Sequence, residues 1–387
     1  MHKSLVSLVL VLCGFTASHA RQAEIDSANG WGYPYDSLLR DLSNWKKSPW
    51  VRVDSIGATV QNRALWMVSI TDSTDSLKAT EGREGGKFRI VAHARTHPSE
   101  VQAQRVANEM IRFLLDTGNV SQSLRRGFVW NIIPMYNPDG VESRFSRLNG
   151  NKVNLETDWS TKVMQPESSA LKSWFTYLYA GKCQPRVALN LHSDQVNGSR
   201  FFFYHLPGGT SSIYATLEQD YINRVRSHFP GGIKPYSQIS SWPDSTSVPD
   251  NRLMYPEGFW WKTAREDVMA LTYEDDNSYT ASDFDKTARA IVLGSAEYVL
   301  GRGVSLQQVA KFRANRILVG PLGVEIRSRS PGERWELRDL QGRSLASGAL
   351  MGDARLDWSA LPGKGPRILA LLGGVEPAEA AMLPMLR

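Results

Sequence analysis

Between Phe88 and Leu300 short apolar runs alternate with longer runs whose apolar residues recur at helical spacing, and a histidine or glutamate stands where several apolar runs stop. Apolar runs bounded by turn residues mark buried strands, and strands alternating with amphipathic helices predict an α/β sheet. The expected strands are residues 88–94, 128–134, 186–191, 201–205 and 268–273. The expected helices are residues 101–115, with Val106, Met110, Phe113 and Leu114 on one face, then 168–179, 213–229 and 283–300. Upstream, residues 35–45 carry Leu38, Leu39, Leu42 and Trp45 at helical intervals, and residues 51–71 alternate as a hairpin. The fold class expected is α/β: a mixed, mostly parallel central sheet with helices on both faces. Residues 71–86 and 231–256 are polar and read as loops, the second long enough to act as a lid or specificity wall.

Charge argues against a nucleic-acid partner. The net charge of +6 is modest for 387 residues, with Lys and Arg interspersed among acids. The doublets Lys46-Lys47 and Arg125-Arg126 read as solvated surface. Residues 1–20 differ: Lys3, then a nearly continuous apolar run from Leu5 to Phe15, then Ser18-His19-Ala20, the pattern of a cleaved secretory leader. An exported protein, periplasmic, cell-surface or secreted, is expected, with a catalytic domain over residues 21–305 and no stable membrane insertion, since no later stretch approaches about 18 uninterrupted apolar residues. Past the leader only Cys183 remains, so no internal disulfide supports the core.

The chemistry gathers at strand ends. His97-Pro98-Ser99-Glu100 offers an imidazole from a strand-to-helix loop and a carboxylate from the start of the next helix. A glutamate there commonly complements the helix dipole, so the pair alone is weak. His192 and Glu274, however, also follow central strands, and open α/β sheets place their chemistry at the carboxyl ends of the strands. Two imidazoles and one carboxylate make a three-ligand site for one zinc ion with a fourth position open. Glu274 is then left over to carry protons.

In this order the motifs resemble the zinc carboxypeptidases of the carboxypeptidase A family, over about residues 35–300: Asn62-Arg63-Ala64-Leu65, His97-Pro98-Ser99-Glu100, Asn137-Pro138-Asp139-Gly140, Leu191-His192-Ser193 and Leu271-Thr272-Tyr273-Glu274. The resemblance implies His97, Glu100 and His192 as zinc ligands and Glu274 as general base and acid acting on a peptide substrate. It implies Arg147 as the group that polarises the scissile carbonyl, Asn149 beside it as a substrate contact, and Tyr255 as the tyrosine that closes over the substrate. One departure stands out. Where the family usually reads Gly-Val-Asp-Leu-Asn-Arg, this chain reads Lys152-Val153-Asn154-Leu155-Glu156-Thr157. The Asn-Arg pair that grips a terminal carboxylate in the family becomes Glu156-Thr157, and a carboxylate facing a carboxylate is repulsive. Either Arg144, Arg200 or Arg252 takes over the anchoring, or the substrate presents something other than a plain C-terminus. Glu156 would suit an amine, as in a branched or cell-wall peptide. A deacylase cutting an N-acyl amide, or a non-catalytic binding protein on the same fold, are the alternatives, and the retained Glu274 argues against the second.

Residues 315–387 change character, with short β-like runs parted by Gly and Pro, and predict a small β-sandwich-like C-terminal module. Leu337 to Arg343, with Leu361-Pro362-Gly363, resembles the sorting domains of type IX secretion.

Overall fold

The computed structural model describes residues 32–72, 87–181, 183–194, 200–203, 212–235, 254–278 and 281–301, together with strands between residues 317 and 383. The leader at residues 1–20, most of both predicted loops, and the Leu361-Pro362-Gly363 turn lie outside the described residues.

Helix α1 (Tyr35–Trp45) buries Leu38, Leu42 and Trp45, the stripe its spacing predicts. The hairpin β1 (Val51–Ala58) and β2 (Ala64–Ile70) follows, antiparallel, with its register shifting between Ser55 and Ala58. Next come β3 (Phe88–Ala94), α2 (Val101–Leu115), α3 (Asn119–Gly127) and β4 (Phe128–Ile133). The short helix α4 (Pro138–Ser143), α5 (Pro166–Ala180) and β5 (Val187–Asp194) complete the first half. The second half holds β6 (Phe201–Phe202), α6 (Ser212–Ser227), α7 (Pro256–Ala264), β7 (Met269–Asp276) and α8 (Phe284–Gly301).

The sheet runs β1-β2-β4-β3-β5-β7-β6. Its four central strands are parallel, and the hairpin on one edge and β6 on the other pair antiparallel. Side chains of one strand alternate between two cores. Ile90, Ala92 and Ala94 of β3 join the core with α2, α6 and α8, while Val91 faces the core with Leu171 and Phe175 of α5 and Trp260 of α7. Helices thus cover both faces, as the alternating pattern predicts.

The differences are local. Of the expected strand 201–205, Phe201 and Phe202 pair with β7, Phe203 N donates to the Thr272 carbonyl at 3.0 Å, and residues 204–205 lie outside the described residues. Helix α3 was not expected, and it overturns one surface reading: Arg125 is buried, its guanidinium donating to the carbonyls of Leu114 and Asp116 and lying 3.7 Å from the Trp50 ring centroid. That arginine satisfies carbonyls left open at the end of α2, a role its sequence neighbourhood does not signal. Helix α7 starts on Pro256, the last residue of the expected loop, and runs over residues 257–264, for which no element was expected; Pro256 opens it and Gly258 sits inside it.

Toward the C-terminus lie β8 (Ile317–Gly320), β9 (Gly323–Ile326), β10 (Glu333–Asp339), β11 (Ser344–Leu350), β12 (Ala354–Asp357), β13 (Arg367–Leu372) and β14 (Ala380–Leu383). They form antiparallel sheets of order β11-β10-β13-β14 and β12-β9-β8. Among the described residues no helix is long and apolar enough to cross a membrane.

Candidate metal centre and catalytic site

From β3 the chain crosses to β4 on one side, and β5 lies on the other, so the carboxyl ends of β3 and β5 flank a switch point of the sheet. The loop leaving β3 carries His97 and ends at Glu100, the N-cap residue of α2. The Glu100 carboxylate does not cap its own helix. It turns instead toward two imidazoles: Oε1 lies 2.8 Å from His97 Nδ1, and Oε2 lies 2.8 Å from His192 Nδ1. The two Nδ1 atoms are 3.1 Å apart. Ser193 N donates to Glu100 Oε2 at 3.2 Å. All three side chains are buried, with relative exposures of 2% for each histidine and 6% for the glutamate.

Neighbouring groups hold this loop rigid. Arg95, in the left-handed region at φ 63°, is fully buried and donates to the Pro98 carbonyl and to Gln104 Oε1 at 2.8 and 2.6 Å. Asn137 caps α4 by accepting from Gly140 N, and its Nδ2 donates to the Thr96 carbonyl at 3.0 Å. Ser99 donates through both N and Oγ to the Ser146 carbonyl, which ties the loop bearing Arg147 to the loop bearing the ligands. Gly140 lets the two loops meet: a Cβ there would lie 2.3 Å from the Leu148 carbonyl oxygen and 2.3 Å from Pro98 Cγ. Gly140→Ala should therefore lower stability by about 1–3 kcal/mol, the range for overpacking where backbone cannot give way. A urea melt of the variant checks this, and a midpoint within error of the parent would refute it.

The outer nitrogens of both imidazoles assign the inner ones. Asn154 Oδ1 accepts from Glu156 N at 3.0 Å, so that face of the amide is oxygen. His97 Nε2, 3.2 Å from the same oxygen, must then carry the proton. His192 Nε2 lies 3.1 Å from Glu156 Oε2 and is likewise the donor. In the neutral tautomers both Nδ1 atoms turn bare lone pairs toward each other and toward the Glu100 carboxylate, within a set whose ligand atoms lie within 4.8 Å of one another. Acceptors facing acceptors at that distance repel unless a proton or a metal cation lies among them. Burial lowers the His192 pKa, but the Glu156 and Glu100 carboxylates outweigh it and hold it well above the usual histidine range. Nitrogen donors with one carboxylate match zinc, and the residues present fit it.

Around this centre the other expected residues sort themselves. Glu274 on β7 is the register partner of His192 on β5, and its Oε2 is buried without a hydrogen-bond partner. Burial lifts its carboxyl well above the usual carboxylate range; His192 pulls against this, and the carboxylates of Glu100, Asp194 and Glu156 add to it. Arg147 is exposed, its Nη1 3.6 Å from Glu100 Oε1. Asn149 is fully buried: Oδ1 accepts from Asn151 N and Val153 N, and Nδ2 donates to Gln165 and Glu167, so its polar atoms are engaged in shaping the loop. Tyr255 is half-buried ahead of α7, next to Met254, whose carbonyl accepts from Trp159 N at 3.2 Å. Thr157 is half-buried, and its N–H reaches only the Asn154 carbonyl at 3.4 Å. Of the substitute anchors, Arg200 pairs with Asp275 at 3.2 Å and donates to the Ser282 carbonyl, Arg144 is exposed, and Arg252 lies outside the described residues.

Three functional candidates escaped sequence reasoning. Asn154 and Asn190 stand against the histidines and Glu156, and Glu257 in α7 is buried beside Glu156 with Oε1 accepting from Thr272 Oγ1 at 2.8 Å and Oε2 unpartnered. Burial first, and the Glu156 carboxylate second, push the Glu257 carboxyl up to about 7. Sequence offers no signal for it, since an acid in a first helical turn is ordinary.

Residues 36–173 match the family model described as zinc carboxypeptidase. The chain is 29% identical to cytosolic carboxypeptidase 6 of Caenorhabditis elegans over 181 residues, 44% of this chain and 37% of that protein. It is 30% identical to human cytosolic carboxypeptidase 1 over 116 residues, 30% of this chain and 10% of that one. The chain thus spans little more than a third of such relatives at most. Among solved structures it resembles a putative carboxypeptidase A from Shewanella denitrificans, with a TM-score of 0.56, 20% identity and 69% of each chain covered. It also resembles a metallo-carboxypeptidase from Pseudomonas aeruginosa in complex with (2-guanidinoethylmercapto)succinic acid, with a TM-score of 0.55, 19% identity and coverage of 73% of this chain and 70% of that one. At those identities the structures speak for the fold. The matched residues 36–173 include the strands and loops that carry His97, Glu100 and the 154–156 segment, and the fold match covers 69% of the chain, so the chain has a zinc carboxypeptidase-like fold.

Proposed function

We propose that the protein is an exported zinc metallopeptidase that hydrolyses a peptide bond with Glu274 as the proton-transferring group. The observation that carries this reading is the placement of Glu274, the register partner of His192, with a carboxylate oxygen that is buried and unpartnered and a carboxyl that feels the charges of His192 and Glu100. His97, Glu100 and His192 would hold the ion, which when bound supplies a Lewis acid to a carbonyl and to water. Glu274 takes a proton from the attacking water as the C–O bond forms and delivers it to the leaving nitrogen as the C–N bond breaks, giving a carboxylate and an amine. Arg147, exposed with its Nη1 3.6 Å from Glu100 Oε1, would hold the carbonyl oxygen as charge grows on it. Export is supported by the leader-like pattern of residues 1–20, and the C-terminal β-strands are read as a sorting or capping module.

Recognition of the substrate departs from the family. Thr157 offers no cation where the family places arginine, and Arg200 is engaged elsewhere, so a terminal carboxylate lacks the usual grip. An amine-bearing peptide remains the better substrate class, but Glu156 has both oxygens occupied, and the free buried oxygen beside it belongs to Glu257. Matched peptides with free and amidated C-termini, each with and without a lysine-like side chain, test this. Amidation should cost less than about tenfold in kcat/KM, below the roughly 2 kcal/mol and more typical of losing a charge-assisted contact. The amine should raise kcat/KM. A strong preference for the plain free C-terminus without regard to the amine would sink it.

A further inference from the structure

The segment from Val153 to Glu156 runs behind both imidazoles, and its residues two apart serve one each: Asn154 Oδ1 for His97 Nε2, and Glu156 Oε2 for His192 Nε2. We infer that Glu156 is a positioning residue for the metal ligand His192 and that, relative to the family pattern, this chain has exchanged a carboxylate and an amide between positions 154 and 156. The inference rests on the zinc reading of the site. In the pattern Gly-Val-Asp-Leu-Asn-Arg the acid stands at position 154 and the amide at 156, whereas here the amide is Asn154 and the acid is Glu156. The formal charge of the two positions together is unchanged. What moves is the histidine that receives it.

The geometry supports positioning over substrate contact. Glu156 is 6% exposed. Asn190 Nδ2 donates to its Oε1 and Oε2 at 3.1 and 3.0 Å, and His192 Nε2 donates to Oε2 at 3.1 Å. Asn190 is itself fixed on β5, where it is the register partner of His93 on β3, with its Oδ1 3.3 Å from Thr96 Oγ1. The carboxylate is therefore held from behind by the same strand that bears the histidine it orients. A carboxylate that accepts from the outer nitrogen of a ligating imidazole fixes the tautomer and ring plane and makes the inner nitrogen a stronger donor.

The experiment measures zinc affinity of the full chain by competition with a chromogenic chelator, and the visible spectrum of the cobalt form, for the parent, Glu156→Gln and Asn154→Asp/Glu156→Gln. Glutamine keeps one acceptor oxygen at nearly the same volume, and removes the charge together with one of the two acceptor oxygens. E156Q should weaken zinc binding about 10–100-fold, the range for loss of such a partner, and shift the cobalt bands. Adding N154D should restore affinity to within about threefold of the parent, a recovery that loss of packing cannot produce. Unchanged affinity and cobalt spectrum in E156Q, with a rise only in KM for amine-bearing peptides, would overturn the inference and return Glu156 to the substrate. Failure of N154D to rescue a weakened E156Q would overturn the exchange. A parent chain that binds no zinc would overturn the zinc reading as well, and is told apart because the parent itself fails. Should E156Q not fold, Glu156→Asp, which retains charge on a shorter arm, serves in its place with the same expected weakening and rescue.

Discussion

Glu274→Gln is expected to lower kcat by about 10²–10⁴-fold, the usual worth of a positioned proton carrier, while zinc content stays at that of the parent. Glutamine is nearly isosteric and can neither take a proton from water nor give one to the leaving amine. Its placement argues that the loss is chemical: Glu274 sits across one parallel strand pair from His192, and its Oε2 has no protein partner whose loss could disturb the fold. Burial already disfavours the charged form of this carboxyl, and glutamine removes that charge, so the variant should melt no lower than the parent. Single-turnover kinetics on the best peptide separates this from slow product release. A variant with parental turnover would remove Glu274 from the mechanism and favour a binding role for the fold. A variant that loses both zinc and activity would mean that Glu274 supports the metal site.

The contrast between Glu274 and Glu156 says how much of the site a sequence can carry. His97 and Glu100 are legible because the spacing across a strand-to-helix loop puts both on one turn of chain, and His192 and Glu274 because each ends an apolar run that can only be a central strand. Strand ends of a parallel sheet share an edge whatever else the chain does, so those residues converge without any knowledge of packing. Glu156 belongs to an irregular segment, and its partner depends on how that segment crosses the sheet. From sequence it reads as facing substrate; in the structure it faces a ligand's outer nitrogen. Glu257 and Asn190 are invisible for the same reason, since their partners are distant in the chain: Asn190 meets Glu156 34 residues away, and Glu257 meets Thr272 15 away. The fold follows the same division. Periodicity finds the helices with a clear apolar stripe, whereas α3 ends in the Arg-Arg doublet and α7 opens with Pro256, so each hides in a pattern that also describes a loop.

Glu100→Ala should make the protein indifferent to zinc. The parent, stripped by a chelator, is expected to lose activity and melt at a lower temperature, and both should return on adding zinc. With free zinc at a hundred times its dissociation constant the bound form gains about 2.7 kcal/mol over the stripped one. The variant should show neither response, because Glu100 supplies an oxygen to each side of the site, 2.8 Å from the Nδ1 of His97 and 2.8 Å from that of His192, and only two neutral nitrogens remain without it. The affinity lost should exceed the about 10–100-fold expected for an outer partner such as Glu156, since a ligand itself is gone. The stripped forms carry a second comparison. In the parent the Glu100 carboxylate is held well below the usual range against burial by the two histidines, so without metal the three groups depend on one another for charge balance. Alanine removes a buried charge, and each imidazole still donates through Nε2 to Asn154 or Glu156. The stripped variant should therefore fold with the same far-ultraviolet spectrum as the stripped parent and differ from it only in failing to respond to zinc. Calorimetric titration of both stripped proteins reads the binding directly, and a Glu100→Ala chain that still takes up one zinc with parental affinity would place the metal site elsewhere.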